Sequence, residues 1–216
     1  MILIGQYDSP FVRRVGIALT HYGLAYEHRP WSTWADAERI AAYNPLRRVP
    51  VLVTDEGEAL TESFAILDAI DATIPEDRAL VPREAPARRQ VLRVCALATG
   101  LADKAVSLFY ERLLHADDAK SAVWTERCTR QIRDTLDVLE AERAARSGPW
   151  WMGERLSHAD VAVACAWRFT REAHAGAVGV MDDRPRPALA GHSERCEAMP
   201  VFQAVAQPFH VAFERR

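Results

Sequence analysis

Hydrophobic positions follow two different periods along this chain, and the change of period divides it. Up to about Thr73, short apolar runs bounded by turn residues alternate with stretches of helical spacing. Ile2-Leu3-Ile4-Gly5-Gln6 is short and branched, which predicts a strand. Asp8-Ser9-Pro10 supplies cap candidates and a proline suited to a first helical turn. Val12, Val15, Ile17-Ala18-Leu19 and Tyr22 then recur near helical spacing, and Gly23 stops the helix. A second strand is predicted over Leu24-Ala25-Tyr26-Glu27-His28 and a helix from Thr33 to Tyr43, ended by Asn44-Pro45.

Val49-Pro50-Val51-Leu52-Val53-Thr54 is the next predicted strand. Proline cannot donate to a ladder, so Pro50 belongs at the strand start or edge. A cis Val49–Pro50 bond is one way to make that turn. It would leave the Val49 N–H and C=O free for an extended peptide ligand. Asp55-Glu56-Gly57 turns the chain into Glu58-Ala59-Leu60, and Thr61-Glu62-Ser63 opens a helix carrying Phe64, Ile66-Leu67 and Ile70. The order is βαβ, helix, ββ, helix.

From Ile74 to Pro86 prolines and charges mark a linker. Strand signals then vanish. Val91, Val94-Cys95, Ala98, Leu101-Ala102, Ala105 and Leu108-Phe109 stripe one long helix. Trp124, Cys128, Ile132, Leu136 and Leu139 stripe the next, and Ser147-Gly148-Pro149 breaks it. Ser157 and Asp160 form an S-x-x-D capping box. The Val161–Trp167 run behind it is apolar on all sides, as a buried central helix should be. Pro185-Arg186-Pro187 is a connector, and two short helices are expected to close the chain. The predicted domains are 1–74, mixed α/β, and 85–216, all-helical.

Composition changes this picture little. The chain has 216 residues, 49% hydrophobic and 26% charged, with a net charge of −3, ordinary for a globular protein and no support for nucleic-acid binding. No run of apolar residues predicts a membrane span, and the N-terminal segment enters a strand without a basic, apolar leader. Cys95, Cys128, Cys165 and Cys196 are widely spaced, which fits buried thiols in a reducing cytoplasm. The histidines show no metal-ligand spacing, so no metal is expected, and phosphate-loop and nucleophile-elbow motifs are absent. His158, inside the capping box, reads as structural. Trp150-Trp151 read as core anchors; Trp31 and Trp34 fit a lid, a dimer contact or plain packing.

Ser9 at a helix mouth would sit near free N–H groups, a position that favours an anion, or would serve simply as an N-cap. With the predicted strand order, Ser9-Pro10-Phe11, Val49-Pro50, Glu62-Ser63 and the Leu156–Ala162 capping box together resemble the cytosolic glutathione transferase family, in its serine-type, bacterial-like form. The resemblance covers nearly the whole chain. It implies a thioredoxin-like domain followed by a helical bundle, a glutathione transferase activity, glutathione as co-substrate, a small hydrophobic electrophile and a homodimer; the alternatives are a non-catalytic binding or regulatory module of the same fold, or a glutathione-dependent reductase or isomerase.

The resemblance also implies roles. Ser9 is the expected thiolate donor, with Tyr7 as its rival, since some branches use a tyrosine near the end of the first strand. A cysteine there would mark thiol-transfer branches. Glu62 would pair with the γ-glutamyl ammonium and Ser63 with its carboxylate. Val49 and Pro50 would present the cysteinyl-binding turn, Arg48 would lie near the glycyl end, and Phe11 would line the site. Phe109, Tyr110 and Trp167 would line a second-substrate pocket between the domains or belong to the core. Asp103 would reach the partner subunit's glutathione. Arg47 departs from the family, which often has glycine there; a positive φ would strain it.

Overall fold

The computed structural model describes residues 1–177, 179–181 and 184–210. In chain order it contains β1 (Ile2–Ile4), α1 (Pro10–Tyr22), β2 (Glu27–Arg29), α2 (Ala37–Ala41), β3 (Val51–Val53), β4 (Ala59–Thr61) and α3 (Ser63–Thr73). There follow α4 (Ala85–Leu114), α5 (Ala122–Ala144), α6 (His158–Ala173), α7 (Pro187–Glu197) and α8 (Pro200–Ala204). This is the architecture that the resemblance implies: a four-stranded mixed sheet with helices, then a helical domain.

The sheet order is β2-β1-β3-β4, with β1 parallel to β2 and antiparallel to β3, and β3 antiparallel to β4. Ile4 pairs with Val51 and Leu3 with Leu52. Alternation then sorts the side chains. Ile4, Val51 and Val53 pack with Ile40, Trp31 and Tyr43 on one face. Leu3 points to the other, near Gly16 of α1.

β1, β2, α2 and β3 are all shorter than predicted, and for β2 and α2 the local reasons are visible. Leu24 does not join β2 because its N–H binds Leu19 C=O (3.0 Å), closing the left-handed Gly23 cap of α1. The helix expected from Thr33 begins only at Ala37. The Ser32 hydroxyl accepts the Trp34 and Ala35 N–H groups, and the Asp36 carboxylate accepts that of Ser32. Such side-chain bonds compete with the helix.

In the helical unit α4 packs against α5 and α6, and α7 against α5 and α6. Asp160 has no exposure and accepts the N–H groups of Trp151 (2.6 Å) and Ser157 (2.9 Å) and the Ser157 hydroxyl (2.7 Å). The predicted capping box is thus an anchor for the loop before α6 as well as a helix cap. His158 and Trp151 are buried beside it, and the four cysteines are buried and form no disulfide.

The chain groups into two compact units, Met1–Arg83 with a second stretch from Ala198, and Glu84–Glu197. This differs from the 1–74 and 85–216 division at both ends. Residues 75–83 stay with the first unit because Leu80 N–H binds the Tyr22 hydroxyl (2.8 Å) and Arg83 binds Ile74 C=O (3.0 Å). The stretch from Ala198 joins it because buried Arg13 donates to Val205 C=O (2.8 Å) and Phe202 C=O (3.2 Å). Residues 211–216 of the expected helical domain lie outside the described residues.

Candidate active site

Ser9 caps α1 with extended backbone (φ −68°, ψ 124°). Its Oγ accepts the Val12 N–H at 3.4 Å, a long contact that uses the hydroxyl as acceptor only. Among the described residues its O–H proton has no protein acceptor. Pro10 and Phe11 occupy the first turn, where N–H groups are not all satisfied within a helix. A hydroxyl donor and the positive end of a helix therefore coincide at a half-buried position.

Tyr7 is placed differently. It is 9% exposed, its hydroxyl lies 2.8 Å from that of Tyr26, and its ring stacks on His28 at 3.8 Å. Burial first, then the Tyr26 hydrogen bond, pushes the phenol far above its ordinary pKa. His28 is held neutral by burial, and its Nε2–H donates to Gly5 C=O at 2.8 Å.

The Val49–Pro50 bond is cis. Pro50 is buried and Val49 half-buried, two residues before the β3 ladder starts at Val51. Among the described residues, no turn or loop hydrogen bond engages the Val49 main chain. The turn leading to it is shaped by Asn44, which is buried. Asn44 Nδ2 donates to Arg48 C=O (2.9 Å) and its Oδ1 accepts Leu46 N–H (3.1 Å). Arg47 does adopt a positive φ, 52°, and pairs with Glu38 at 3.2 Å.

Glu62 and Ser63 open α3. Glu62 has φ 67° and ψ 121°, a sparsely populated conformation for a residue with a Cβ. Its exposed carboxylate meets Arg48 at 3.7 Å. Ser63 is buried, and its Oγ accepts from Arg14 of α1 at 3.3 Å. Arg14 is itself buried and its guanidinium lies 4.8 Å from the Phe64 ring centroid.

These contacts join the predicted residues pairwise. Arg14 ties Ser63 to the helix that Ser9 caps, and Arg48 ties the Val49 turn to Glu62. Gly5 brings the end of β1 against both Val12 and Val49: a Cβ there would lie 2.5 Å from Val12 Cγ2 and 2.8 Å from Val49 Cβ. Its φ of 126° also favours glycine. Sequence reasoning missed Gly5, Arg14 and Asn44 as supports. A glycine between strand and helix, and an asparagine before proline, were their available signals.

The remaining candidates are in the helical unit. Phe109 and Tyr110 on α4 are half-buried, with ring centroids 5.8 Å apart. Trp167 on α6 is only 6% exposed. Asp103 on α4 is half-exposed beside Lys104 (3.2 Å). Trp31 lies half-buried beneath Arg39 (4.1 Å), in the sheet core, while Trp34 is exposed. Among the described residues no cluster of His, Cys, Asp and Glu could hold a metal, and no helix is long and apolar enough to cross a membrane.

Comparison with known proteins gives one consistent answer. The "Glutathione S-transferase, N-terminal domain" family matches residues 3–78, and the "Glutathione S-transferase, C-terminal domain" family matches residues 122–195. YibF, an uncharacterised GST-like protein of Escherichia coli K12, is 32% identical over 77% of this chain and 80% of its own. A probable glutathione S-transferase of rice, GSTU1 of the japonica subspecies, is 29% identical over 91% of this chain and 84% of its own. Among solved structures, a Methylobacterium radiotolerans glutathione S-transferase in complex with glutathione sulfonate superposes with a TM-score of 0.86 at 28% identity, covering 100% of this chain and 98% of that one. A Pseudomonas fluorescens Pf-5 family member with bound glutathione gives a TM-score of 0.80 at 29% identity, covering 96% and 99%. With this sheet, this helical domain and both family halves in register, the chain belongs to the glutathione S-transferase family and is a glutathione transferase enzyme.

Proposed function

We propose that the chain is a serine-type glutathione transferase in which Ser9 activates the glutathione thiol for attack on a small hydrophobic electrophile. One observation carries this reading. The Ser9 hydroxyl, at the mouth of α1, serves the protein only as an acceptor, whereas the Tyr7 hydroxyl is committed to Tyr26 inside the unit.

A glutathione thiol titrates at about 8.5 when unperturbed, so little thiolate exists at neutral pH. Lowering that value by about two units takes ~2.7 kcal/mol of preference for the thiolate. One charge-assisted hydrogen bond and a helix N-terminus supply energies of that order. Ser9 acts as donor and never as nucleophile. The thiolate then attacks the electrophile and the leaving group departs with its electron pair.

Ligands named for relatives support the peptide assignment: the Methylobacterium and Pseudomonas proteins hold glutathione sulfonate and glutathione. The Glu62 carboxylate suits the γ-glutamyl ammonium. The Ser63 hydroxyl and N–H, with Arg14 behind them, suit its carboxylate. The main chain of Val49 suits the cysteinyl residue, with Pro50 and Phe11 lining it, and Arg48 suits the glycyl end. For the electrophile, Phe109 and Tyr110 are better candidates than Trp167, which is nearly enclosed. The protein works as a homodimer in the cytoplasm, and Asp103 addresses the partner's ligand.

Retention on immobilised glutathione, followed by conjugation assays across a panel of hydrophobic electrophiles, tests the reading. Retention with turnover on at least one electrophile is expected. Retention with none would leave a glutathione-binding module of the same fold. A monomeric mass by light scattering at micromolar concentration would remove the dimer and the role of Asp103.

A further inference from the structure

The stretch from Ala198 does not simply trail from the helical domain; it returns to α1, and its described residues reach the turn before Ser9. Its first tie is Arg13, which is 2% exposed and donates to the C=O groups of Phe202 and Val205 at the end of α8. Carbonyls at a helix C-terminus lack intrahelical donors, and a cation there is favourable. The guanidinium also lies 5.6 Å from the centre of the fully buried Phe202 ring.

The second tie is a close approach. A Cβ on Gly16 would lie 2.8 Å from both Tyr7 Cε1 and Val205 Cγ1. The helix thus leaves room at one position for the end of β1 and for the returning chain together. Glycine inside a helix is unfavourable by about 1 kcal/mol relative to alanine, so this contact sets the residue.

The third tie reaches the turn that carries Ser9. Gln207 Oε1 accepts the Tyr7 N–H at 3.1 Å, and Asp8 Oδ2 accepts the His210 N–H at 3.2 Å. Tyr7 and Asp8 are the two residues immediately before Ser9. The hydroxyl's position follows from the peptide planes that precede it. A catalytic donor must be held to within a fraction of an ångström by groups that are themselves held.

We infer that Gln207 is a positioning residue for thiol activation: its side-chain amide, anchored by the Arg13-held strap, clamps the Gln6–Tyr7 peptide, whose C=O accepts the Ser9 N–H at 3.2 Å, and thereby aims the Ser9 hydroxyl. The inference rests on the Ser9 reading. It adds that the serine site is completed from the far end of the chain.

The test compares Gln207→Leu, which keeps bulk and loses the acceptor, with Gln207→Glu, which keeps an acceptor. Ser9→Ala and the Ser9→Ala/Gln207→Leu pair complete a cycle. The readouts are the thiol pKa of glutathione in the complex, kcat, and KM for glutathione, with melting temperature as a check on folding. Gln207 is only half-buried, so the fold should tolerate the change. Gln207→Leu should raise the bound thiol pKa by about one unit and lower kcat about tenfold at neutral pH, with KM within about twofold. Gln207→Glu should restore most of the rate. On the Ser9→Ala background Gln207→Leu should add almost nothing. Asp8→Ala, which removes the other tie, should act in the same direction.

A thiol pKa that moves with Ser9→Ala but not with Gln207→Leu would overturn the clamp and leave the Ser9 reading standing. So would fully additive losses. A thiol pKa that ignores Ser9→Ala would overturn the Ser9 reading, and with it any role for Gln207 in aiming that residue.

Discussion

The two units handle backbone strain in opposite ways. Among the described residues, the non-glycine positions with positive φ are Arg47 and Glu62, both in the first unit and both flanking the candidate glutathione contacts. In the helical unit positive φ falls on Gly153, Gly176 and Gly179, where no Cβ objects. In the helical unit Asp160 is saturated by protein donors, and His174 bonds inward to Ala105 C=O (3.0 Å) and Arg112 (3.0 Å). In the first unit the Ser9 and Ser63 hydroxyls accept from the protein. The strained side-chain-bearing residues and these two hydroxyls thus lie together in the first unit. Strain kept in side-chain-bearing residues at a site points to function there.

The sharpest way to test the contrast is to damage the saturated side. Asp160→Ala leaves several buried donors without an acceptor, each a loss of about 1–3 kcal/mol. It should lower stability by at least ~3 kcal/mol in chemical denaturation. Glutathione affinity per folded molecule should be unaffected. A marginal loss would mean that the carboxylate is not the anchor of the α6 entry.

Acid probes the same side. Burial, offset only partly by the Ala105 hydrogen bond, lowers the His174 pKa from 6.5 to about 4. The unfolded chain therefore binds a proton that the folded chain refuses between these values. Stability from this group is complete above about 6.5 and is lost as pH falls toward 4, to a total of about 3 kcal/mol. His28 and His192 are lowered by burial too, and act with the same sign. Denaturation midpoints should fall across this interval, and His174→Leu should flatten part of the fall. A flat wild-type profile would contradict it.

On the strained side, Glu62→Gly removes the carboxylate and relieves the backbone. Affinity for glutathione should weaken by about 1.5–3 kcal/mol, the range for a hydrogen bond to a charged group. Thermal stability should hold or rise. Lower stability with unchanged affinity would make the strain merely structural.

The smallest effect is expected at Arg47→Gly. Relief of the left-handed conformation should stabilise by about 1 kcal/mol, less the small contribution of its exposed pair with Glu38. A destabilised variant would show that the Arg47 side chain matters more than its φ.

Much of this organisation was legible in the sequence because it is local. The Ser9-Pro10 entry, the Gly23 stop, the Asp55–Gly57 hairpin and the Ser157/Asp160 box each declare themselves within a few residues. What escaped is set by partners far along the chain or by competing side-chain bonds. An arginine in an amphipathic helix reads as solvent-facing, yet Arg13 is buried because it binds carbonyls 189 and 192 residues away. Nothing near Tyr7 announces that Tyr26 will occupy its hydroxyl. Ser32 and Asp36 shortened α2 through bonds that helical spacing does not register.

The central claim is that Ser9, and not Tyr7, lowers the thiol pKa of bound glutathione. The direct measurement is an ultraviolet titration of the thiolate in the complexes of the wild type, Ser9→Ala and Tyr7→Phe. The account predicts a value well below about 8.5 in the wild type and Tyr7→Phe, and a return toward about 8.5 in Ser9→Ala. The neutral-pH rate should fall by up to about 10²–10³ in Ser9→Ala, shrinking as pH rises. A thiol pKa that stays low in Ser9→Ala and returns toward about 8.5 in Tyr7→Phe would contradict it.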